Sequence, residues 1–208
     1  MYTCAKCGAI ACGEREPEKV PKNCPIRNTE VLESAFGSYL DPENKEFYIN
    51  SSEIEALGYG QWVRIRETME FCRRMNYRRL GLAFCRGLRK EAKTACDILE
   101  KNGFEVVSVI CKAGGIDKTA AGIPEEHKVH PGEFEPMCNP IFQAQLLNEQ
   151  QTEFNIALGL CVGHDSLFYK YSQAMVTTLV VKDRVLAHNP VGALYCSDGY
   201  YKGKVMME

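Results

Sequence analysis

The chain has 208 residues, a formal net charge of −2 and 11 cysteines, with 45% hydrophobic and 25% charged residues. This length and composition predict one globular domain with an appendage, and no apolar run reaches the roughly 18 residues of a membrane span. The near-neutral charge excludes the basic footprint of a nucleic-acid-binding protein.

The N-terminus has neither the basic region nor the apolar region of a signal peptide. We therefore expect a cytoplasmic protein with no membrane partner. In a reducing compartment, about 5% cysteine favours metal ligands or reactive thiols over disulfides.

The first cysteines form a motif that has no hydrophobic periodicity around it. Four thiols lie within 21 residues, at Cys4, Cys7, Cys12 and Cys24. A Cys-x2-Cys pair can direct two sulfurs at one metal, and two further thiols complete a tetrathiolate shell for Zn²⁺ or an iron–sulfur cluster. The spacing matches neither a zinc ribbon nor the bacterial ferredoxin run, so the metal stays open. We predict a cysteine-rich metal-binding segment over residues 1–28 and an α/β domain over residues 29–208.

The next elements are predicted from periodicity and from residues that begin or end helices. Apolar residues after Glu30 recur with helical spacing, whereas residues 40–52, with a proline and several Asn and Ser residues, predict a loop. A long helix is expected from Glu53 to Asn76, with a break near Gly58 and Gly60.

From Arg79 onwards, strands and helices alternate. Strands are predicted over residues 79–85, 104–111, 155–161, 176–181 and 185–188. Helices are predicted over residues 89–102, 141–149 and from about 165 to 173, and a long irregular stretch lies between residues 112 and 138. Alternation of this kind predicts an α/β fold with an open, mostly parallel, Rossmann-like sheet and helices on both faces.

Three predicted strands end in a cysteine, at Cys85, Cys111 and Cys161, and Cys138 precedes a predicted helix. Ligands of open α/β sheets bind outside the carboxyl ends of the strands, where all four thiols are expected. A single strand-end cysteine is more simply a small buried hydrophobe. Repetition of the arrangement favours a shared thiolate site that binds a cofactor.

Polar residues follow two of the predicted strands. His164 is a candidate proton donor or ligand, and Asp165 is a candidate orienting group. His188 precedes Asn and Pro at the end of the last predicted strand and is a third catalytic candidate. The alternative is structural, because Asp165 can cap a helix and His164 can satisfy a loop backbone.

The sequence also resembles a known family through several separated motifs. Besides the N-terminal cysteines, the motifs are residues 84–88, 108–112, 138–141, 159–165 and 188–190. They are similar to those of a bacterial and archaeal family known mainly as a domain of unknown function, described as metal-binding and found often in anaerobes. The resemblance spans essentially the whole chain. It implies metal binding by the cysteines named above and implies no reaction.

Three hypotheses follow. The first is an iron–sulfur protein of redox function, with one or two [4Fe–4S] clusters held by the N-terminal and the strand-end cysteines, acting with a redox partner or a small-molecule substrate. The second is a zinc-binding structural or regulatory module with a small-molecule pocket. The third is a thiol enzyme in which Cys161 is the nucleophile and His164 the base. The sequence does not decide whether the protein is an enzyme, nor its oligomeric state.

Overall fold

A computed structural model describes residues 1–14 and 16–206 of the protein. The chain divides into two compact units, residues 1–57 and 58–208. Within the described part of the chain, every helix is too short or too polar to cross a membrane. The predicted division into a cysteine-rich segment over residues 1–28 and an α/β domain over residues 29–208 stays a prediction.

The N-terminal unit is built from short turns and helices. Its helices are α1 (Ala11–Glu14), α2 (Thr29–Tyr39) and α3 (Pro42–Gly58). Helix α2 begins as its pattern predicted, with the Asn28 side chain accepting a hydrogen bond from the Val31 amide. The rings of Tyr39 and Tyr48 lie 4.7 Å apart and pack α2 against α3.

The loop that we predicted over residues 40–52 is wrong, because most of this segment lies in helix α3. Pro42 occupies the first turn, where a missing N–H costs nothing. Farther along, Asn50 Nδ2 donates to the Glu46 carbonyl and Ser51 Oγ to the Phe47 carbonyl, at 3.1 and 2.8 Å. Asn and Ser lower helix propensity because they compete for backbone groups, but here they bond back within the helix and do not end it.

The expected long helix is broken where its glycines indicated. Helix α3 ends at Gly58, and α4 (Arg64–Arg74) begins six residues later. The Gly58 carbonyl accepts hydrogen bonds from the Gln61 and Trp62 amides, and Gly60 has a φ of +66°. Glycine adopts this left-handed backbone conformation readily, and a glycine in this conformation commonly follows the end of a helix.

The second unit contains a four-stranded, all-parallel open sheet, which confirms the predicted α/β fold class. Its strands are β1 (Arg79–Phe84), β2 (Glu105–Ile110), β3 (Phe154–Leu158) and β4 (Val176–Val180), in the order β2-β1-β3-β4. The remaining helices are α5 (Arg89–Lys101), α6 (Pro140–Glu149), α7 (His164–Tyr171), α8 (Val191–Tyr195) and α9 (Lys202–Val205).

The core lies around the two central strands. Residues 80–83 of β1 and all five residues of β3 are buried, so both faces of the sheet are covered. Helix α5 contributes Leu99 to this core and α6 contributes Leu147, and neither side chain is exposed. Because β1 connects to β2 on one side and β3 to β4 on the other, the switch point lies between the carboxyl ends of β1 and β3.

The strand predicted over residues 185–188 is wrong. Asp183 Oδ1 accepts hydrogen bonds from the amides of Val185 and Leu186, both at 2.9 Å, and so forms a tight turn. The His188 amide donates to the Asp183 carbonyl at 2.8 Å, and Ala187 and His188 have positive φ. An aspartate that satisfies the amides just after it competes directly with strand formation.

The long connection between β2 and α6 is ordered by charge. The Lys128 ammonium is buried and lies 3.0 Å from Asp117 and 2.9 Å from Glu125. The loop backbone pairs across itself, with the Met137 amide donating to the Ile116 carbonyl at 2.8 Å. This loop therefore holds the residue that follows Met137, Cys138, at a defined position.

Gly81 supplies a test of the central packing. A Cβ on Gly81 would lie 2.0 Å from Asn155 Oδ1 and 2.8 Å from Leu147 Cδ1. The Asn155 amide cannot turn away freely, because it is hydrogen-bonded to Thr152 and Ser172, each at 2.8 Å. We expect Gly81→Ala to lower the free energy of unfolding by about 1–3 kcal/mol, measured by urea denaturation.

Gly203→Ala is the matched control, because a Cβ there meets no atom within 4 Å. It should leave the urea midpoint nearly unchanged or raise it slightly. Equal midpoints for the Gly81 and Gly203 variants would contradict the packing described here.

Candidate functional site

Backbone hydrogen bonds carry the sheet one residue past its strands and place two cysteines side by side. The Cys85 amide donates to the Leu158 carbonyl at 3.1 Å, and the Cys111 amide donates to the Phe84 carbonyl at 2.9 Å. Both thiols are nearly buried, with exposures of 8% and 3%. Their positions therefore follow from the register of β1 with its two neighbours.

The other two edge cysteines reach the same place by different routes. The Asn139 amide donates to the Cys111 carbonyl at 2.7 Å and fixes Cys138 beside it at the start of α6. Cys161 follows β3 after a turn at Gly159, whose φ of +65° suits glycine. A Cβ on Gly159 would also lie 2.0 Å from the Leu88 side chain. Both the backbone conformation and the close packing therefore require glycine at this turn.

These residues line a single pocket at the carboxyl edge of the sheet. Its walls are formed by Cys85, Cys111, Cys138, Pro140, Gln143, Leu160, Cys161 and His164. The structure thus brings together the four strand-end and helix-start thiols and one of the three candidate catalytic residues. The role of these residues as ligands stays a prediction.

The sulfurs of three cysteines share their protons. The Cys111 thiol is hydrogen-bonded to both Cys138 and Cys85, which raises the pKa of Cys111. The same contacts lower the pKa values of its neighbours: Cys111 acts first on Cys85, where the Gly87 amide and Lys182 add to the effect. At Cys138 the contact with Cys111 is again the larger cause and the contact with His164 the second. Ionisation is therefore favoured at Cys85 and Cys138 and opposed at Cys111.

Cations surround the sulfurs. The Arg184 guanidinium donates to Cys161 Sγ at 3.1 Å, and Lys182 contacts Cys85. Lys112, which donates to the Pro136 carbonyl, also lowers the pKa of Cys138 by its charge. The Arg86 amide donates to Cys111 Sγ at 3.3 Å. At Cys85 and Cys138 the lysine charges add to the lowering of the thiol pKa by Cys111.

His164 pairs with Cys138. Its hydrogen bond to Cys138 raises the pKa of the imidazole, while burial acts in the opposite direction. This matches the lowered pKa of Cys138 and favours a thiolate–imidazolium pair. Cys161, the nucleophile in our thiol-enzyme hypothesis, bonds to Arg184 instead.

The other two catalytic candidates lie outside the pocket lining. Asp165 is in the first turn of α7, where its Oδ1 accepts from the Ser166 amide at 2.8 Å. His188 Nδ1 accepts from the Asp183 amide at 3.1 Å and closes the turn after β4. Both contacts are local and structural in kind.

Three residues at the site escaped the sequence analysis: Gln143, which lines the pocket, and Lys182 and Arg184, which contact its cysteines. Gln143 lies one turn after the Asn139-Pro140 start of α6, on the face that carries Asn139. The two cations follow the carboxyl end of β4, the same kind of position that identified the cysteines. The sequence signal for these two residues was positive charge directly after a predicted strand. We had interpreted this segment as a turn between two strands.

The N-terminal cysteines lie in the other unit and are described separately. The Cys7 amide donates to the Cys4 carbonyl at 3.0 Å, so the Cys-x2-Cys pair forms a tight turn. Asn23 Nδ2 donates to Thr3 Oγ1 at 2.7 Å and joins the neighbours of Cys4 and Cys24. Cys12 is exposed and lies in α1.

Neither cysteine group has the spacing of a completed metal site. Among residues 1–14 and 16–206, no three or more His, Cys, Asp or Glu side chains are arranged to hold a metal ion. In the pocket, the contacts of the Cys111 thiol with Cys138 and Cys85 raise its pKa, so its proton is harder to remove. Metal binding would displace that proton, because cysteine ligates as thiolate.

Fold and site together define an α/β protein with a thiol-lined pocket at the switch point of an open parallel sheet. The chain belongs to the family described as protein of unknown function (DUF1847), whose sequence profile matches residues 24–179. It is 43% identical to the uncharacterized protein MJ0455 of Methanocaldococcus jannaschii over 203 residues, 98% of this chain and 97% of that protein. No solved structure gives a significant match.

This family membership confirms the resemblance seen in the sequence motifs. The matched region contains all four pocket cysteines and His164, whereas Cys4, Cys7 and Cys12 precede it. The metal binding that the resemblance implied stays a prediction.

The shared protons predict an unusual pH profile for alkylation. In reduced, metal-free protein at pH 6.5, an ordinary thiol is only about 1% ionised. Cys138 should react with iodoacetamide at least about tenfold faster than Cys96, whose pKa burial raises. Both thiols are half-buried, so Cys96 is a matched reference, and the rates are measured by mass spectrometry of each peptide.

His164→Ala should slow the labelling of Cys138 at pH 6.5, because the imidazolium that stabilises its thiolate is lost. The rate for Cys96 should not change. Equal rates for the two cysteines, with both rising only near pH 8.5, would contradict the proton sharing described above.

Proposed function

We propose that the protein is an iron–sulfur protein with a redox role, whose principal centre is held by Cys85, Cys111, Cys138 and Cys161. One observation carries the proposal: four thiols from four separate segments line one pocket at the ligand-binding edge of the sheet. A cluster ligated by four thiolates requires this donor set. Isolated buried cysteines would be expected to disperse through the core.

The surroundings of the sulfurs support a redox centre in particular. Reduction adds negative charge to a group that already carries thiolates, and nearby cations offset that charge. Lys112, Lys182 and Arg184 are placed for this role through their contacts or charges at Cys138, Cys85 and Cys161. Hydrogen bonds to sulfur, such as that from the Arg86 amide to Cys111, also set the potential of iron–sulfur centres. Structural zinc undergoes no change of charge and would gain less from these groups.

We further propose that Cys4, Cys7, Cys12 and Cys24 hold a second metal, either a second cluster or structural zinc. The tight turn at Cys4–Cys7 and the Asn23–Thr3 hydrogen bond support closure of this motif. We assign this metal a structural role, because a segment with few apolar residues cannot form a core by itself and needs a cross-link to fold.

Thiol catalysis is a second candidate function, favoured by the hydrogen bond between His164 and Cys138. In this case Cys138 is the nucleophile and His164 its base, with a small-molecule substrate in the pocket. Colourless, metal-free protein with rapid and selective labelling of Cys138 would favour this candidate over the iron–sulfur centre.

Metal analysis tests the principal proposal. Protein purified anaerobically should be brown, with about eight iron and eight sulfide per chain if both cysteine groups hold [4Fe–4S] clusters, or about four with zinc at the N-terminal site. Cys111→Ser should remove about four iron by loss of the pocket centre. Cys7→Ser should remove only the metal of the N-terminal site.

Cys96→Ser is the control, because Cys96 is a half-buried helical cysteine outside both groups. It should keep the full iron content. Colourless protein with zinc alone, or equal iron loss in the Cys96 and Cys111 variants, would overturn the proposal.

The cations give a second, independent prediction. Arg184→Gln should lower the midpoint potential of the pocket centre, because the reduced state loses a compensating charge. A decrease on the order of 30–60 mV corresponds to about 0.7–1.4 kcal/mol for one electron. It is measured by an EPR-monitored redox titration. Arg184→Lys should keep most of the potential, and an unchanged potential in Arg184→Gln would show that this charge does not act on the centre.

A further inference from the structure

Helix α2 presents its apolar side to solvent. Val31, Leu32, Phe36 and Leu40 recur at helical spacing, so they lie on one side of the helix. Each of the four is more than half exposed, and residues 29–39, all of which the structure describes, include no buried residue. Amphipathic helices of folded proteins normally have this side covered, and an exposed apolar patch marks an interaction surface.

Helix α3 continues this surface, and both helices give it a strong negative charge. The rings of Tyr39 and Tyr48 are in contact, and both residues are about half exposed. Residues 29–58 contain seven acidic residues and one basic residue, Lys45. We call the α2–α3 surface the set formed by Glu30, Val31, Leu32, Glu33, Phe36, Tyr39, Leu40 and Tyr48. A partner for this surface must combine apolar contacts with positive charge.

The C-terminal segment of the same chain has the complementary composition. We call residues 191–206 the C-terminal surface, whose apolar members with more than half of their area exposed are Leu194, Tyr195, Tyr200 and Met206. Lys202 and Lys204 are exposed as well, whereas Asp198 is the one acidic residue in the sequence of this segment. Exposed tyrosines beside cations are typical of protein–protein interfaces, where aromatic residues are enriched.

One chain therefore carries both halves of a complementary pair. The whole chain has a net charge of −2 and residues 29–58 have −6, so the remaining residues carry +4. Surfaces of opposite charge attract each other and select their partner. Two copies related by a twofold axis can form both contacts at once, because residue i of one copy meets residue j of the other, and the reverse.

We propose that a second copy of the chain covers the α2–α3 surface. In this twofold dimer, the C-terminal surface of each copy packs on the apolar side of α2 in the other copy. The tyrosines supply contacts for Phe36, and the two lysines offset the charges of Glu30 and Glu33. The inference is independent of the proposed function, because no described residue of either surface lines the thiol pocket.

Sedimentation velocity of the full chain, as purified anaerobically, tests the dimer. The mass should be twice the 23.4 kDa of one chain at high concentration and should decrease on dilution. Phe36→Ser should weaken dimerisation at least about tenfold, because a buried aromatic contact is lost from the interface. Phe36→Tyr keeps the ring and should dimerise almost normally. Phe36 is 63% exposed within the chain, so neither substitution disturbs a core.

Charge reversal tests the pairing of the two surfaces. One variant carries Glu30→Lys and Glu33→Lys, and the other carries Lys202→Glu and Lys204→Glu. Each alone places like charges together in both contacts of its dimer, so its dissociation constant should increase at least about tenfold. Mixed in equal amounts, the two variants should form a heterodimer, because both of its contacts join opposite charges.

The control is Glu126→Lys, which reverses an exposed charge in the loop between β2 and α6 and should dimerise like the unsubstituted protein. Recovery in the mixture also shows that both charge variants are folded. Iron content should be the same in all of these variants, so absence of iron bears on the proposed function alone.

Each outcome decides the inference. A monomer at every concentration overturns the dimer, and slow amide hydrogen exchange of α2 in that monomer would show that its own chain covers the surface. A dimer that persists in both charge variants overturns the pairing of these surfaces. Charge variants that stay monomeric in the mixture overturn it as well.

Discussion

The site depends on parallel pairing that continues past the ends of β1 and β2. Two backbone hydrogen bonds, from Cys85 to Leu158 and from Cys111 to Phe84, extend the ladder by one residue on each side of β1. A slip of one residue would turn every side chain to the opposite face of the sheet. The register that buries the core therefore also places these two thiols together, and one constraint serves both stability and function.

Proton sharing follows from that placement. Three thiols brought into contact do not ionise equally: the pKa of Cys111 is raised, while the pKa values of Cys138 and Cys85 are lowered. Cations from the segment after β4 lower the cost of this charge. Any metal that binds must displace the shared proton, so metal affinity and proton release are coupled at this pocket.

Most of the fold could be predicted from local pattern, and the exceptions have local physical causes. Alternation of short apolar runs with helical periods was enough for the parallel sheet, because crossover connections impose it. The loop predicted over residues 40–52 failed because Asn and Ser, which often end helices, bond back to the preceding turn in α3. The final strand failed because Asp183 satisfies the amides that a neighbouring strand would have needed. Both errors come from side chains that compete for backbone hydrogen bonds.

The sequence by itself determined which thiols lie at the carboxyl edge, because a cysteine after a parallel strand can lie nowhere else. It also determined the family, through motifs distributed along the chain. Only the tertiary structure decided that the His164 side chain contacts Cys138 and that Gln143 lines the pocket. It also decided that Lys182 lies beside Cys85 and Arg184 beside Cys161. These relations join residues 20 or more positions apart, whose distances depend on packing between elements and leave no periodic signal in the chain. Position along a strand is local information, whereas the partner of a side chain is not.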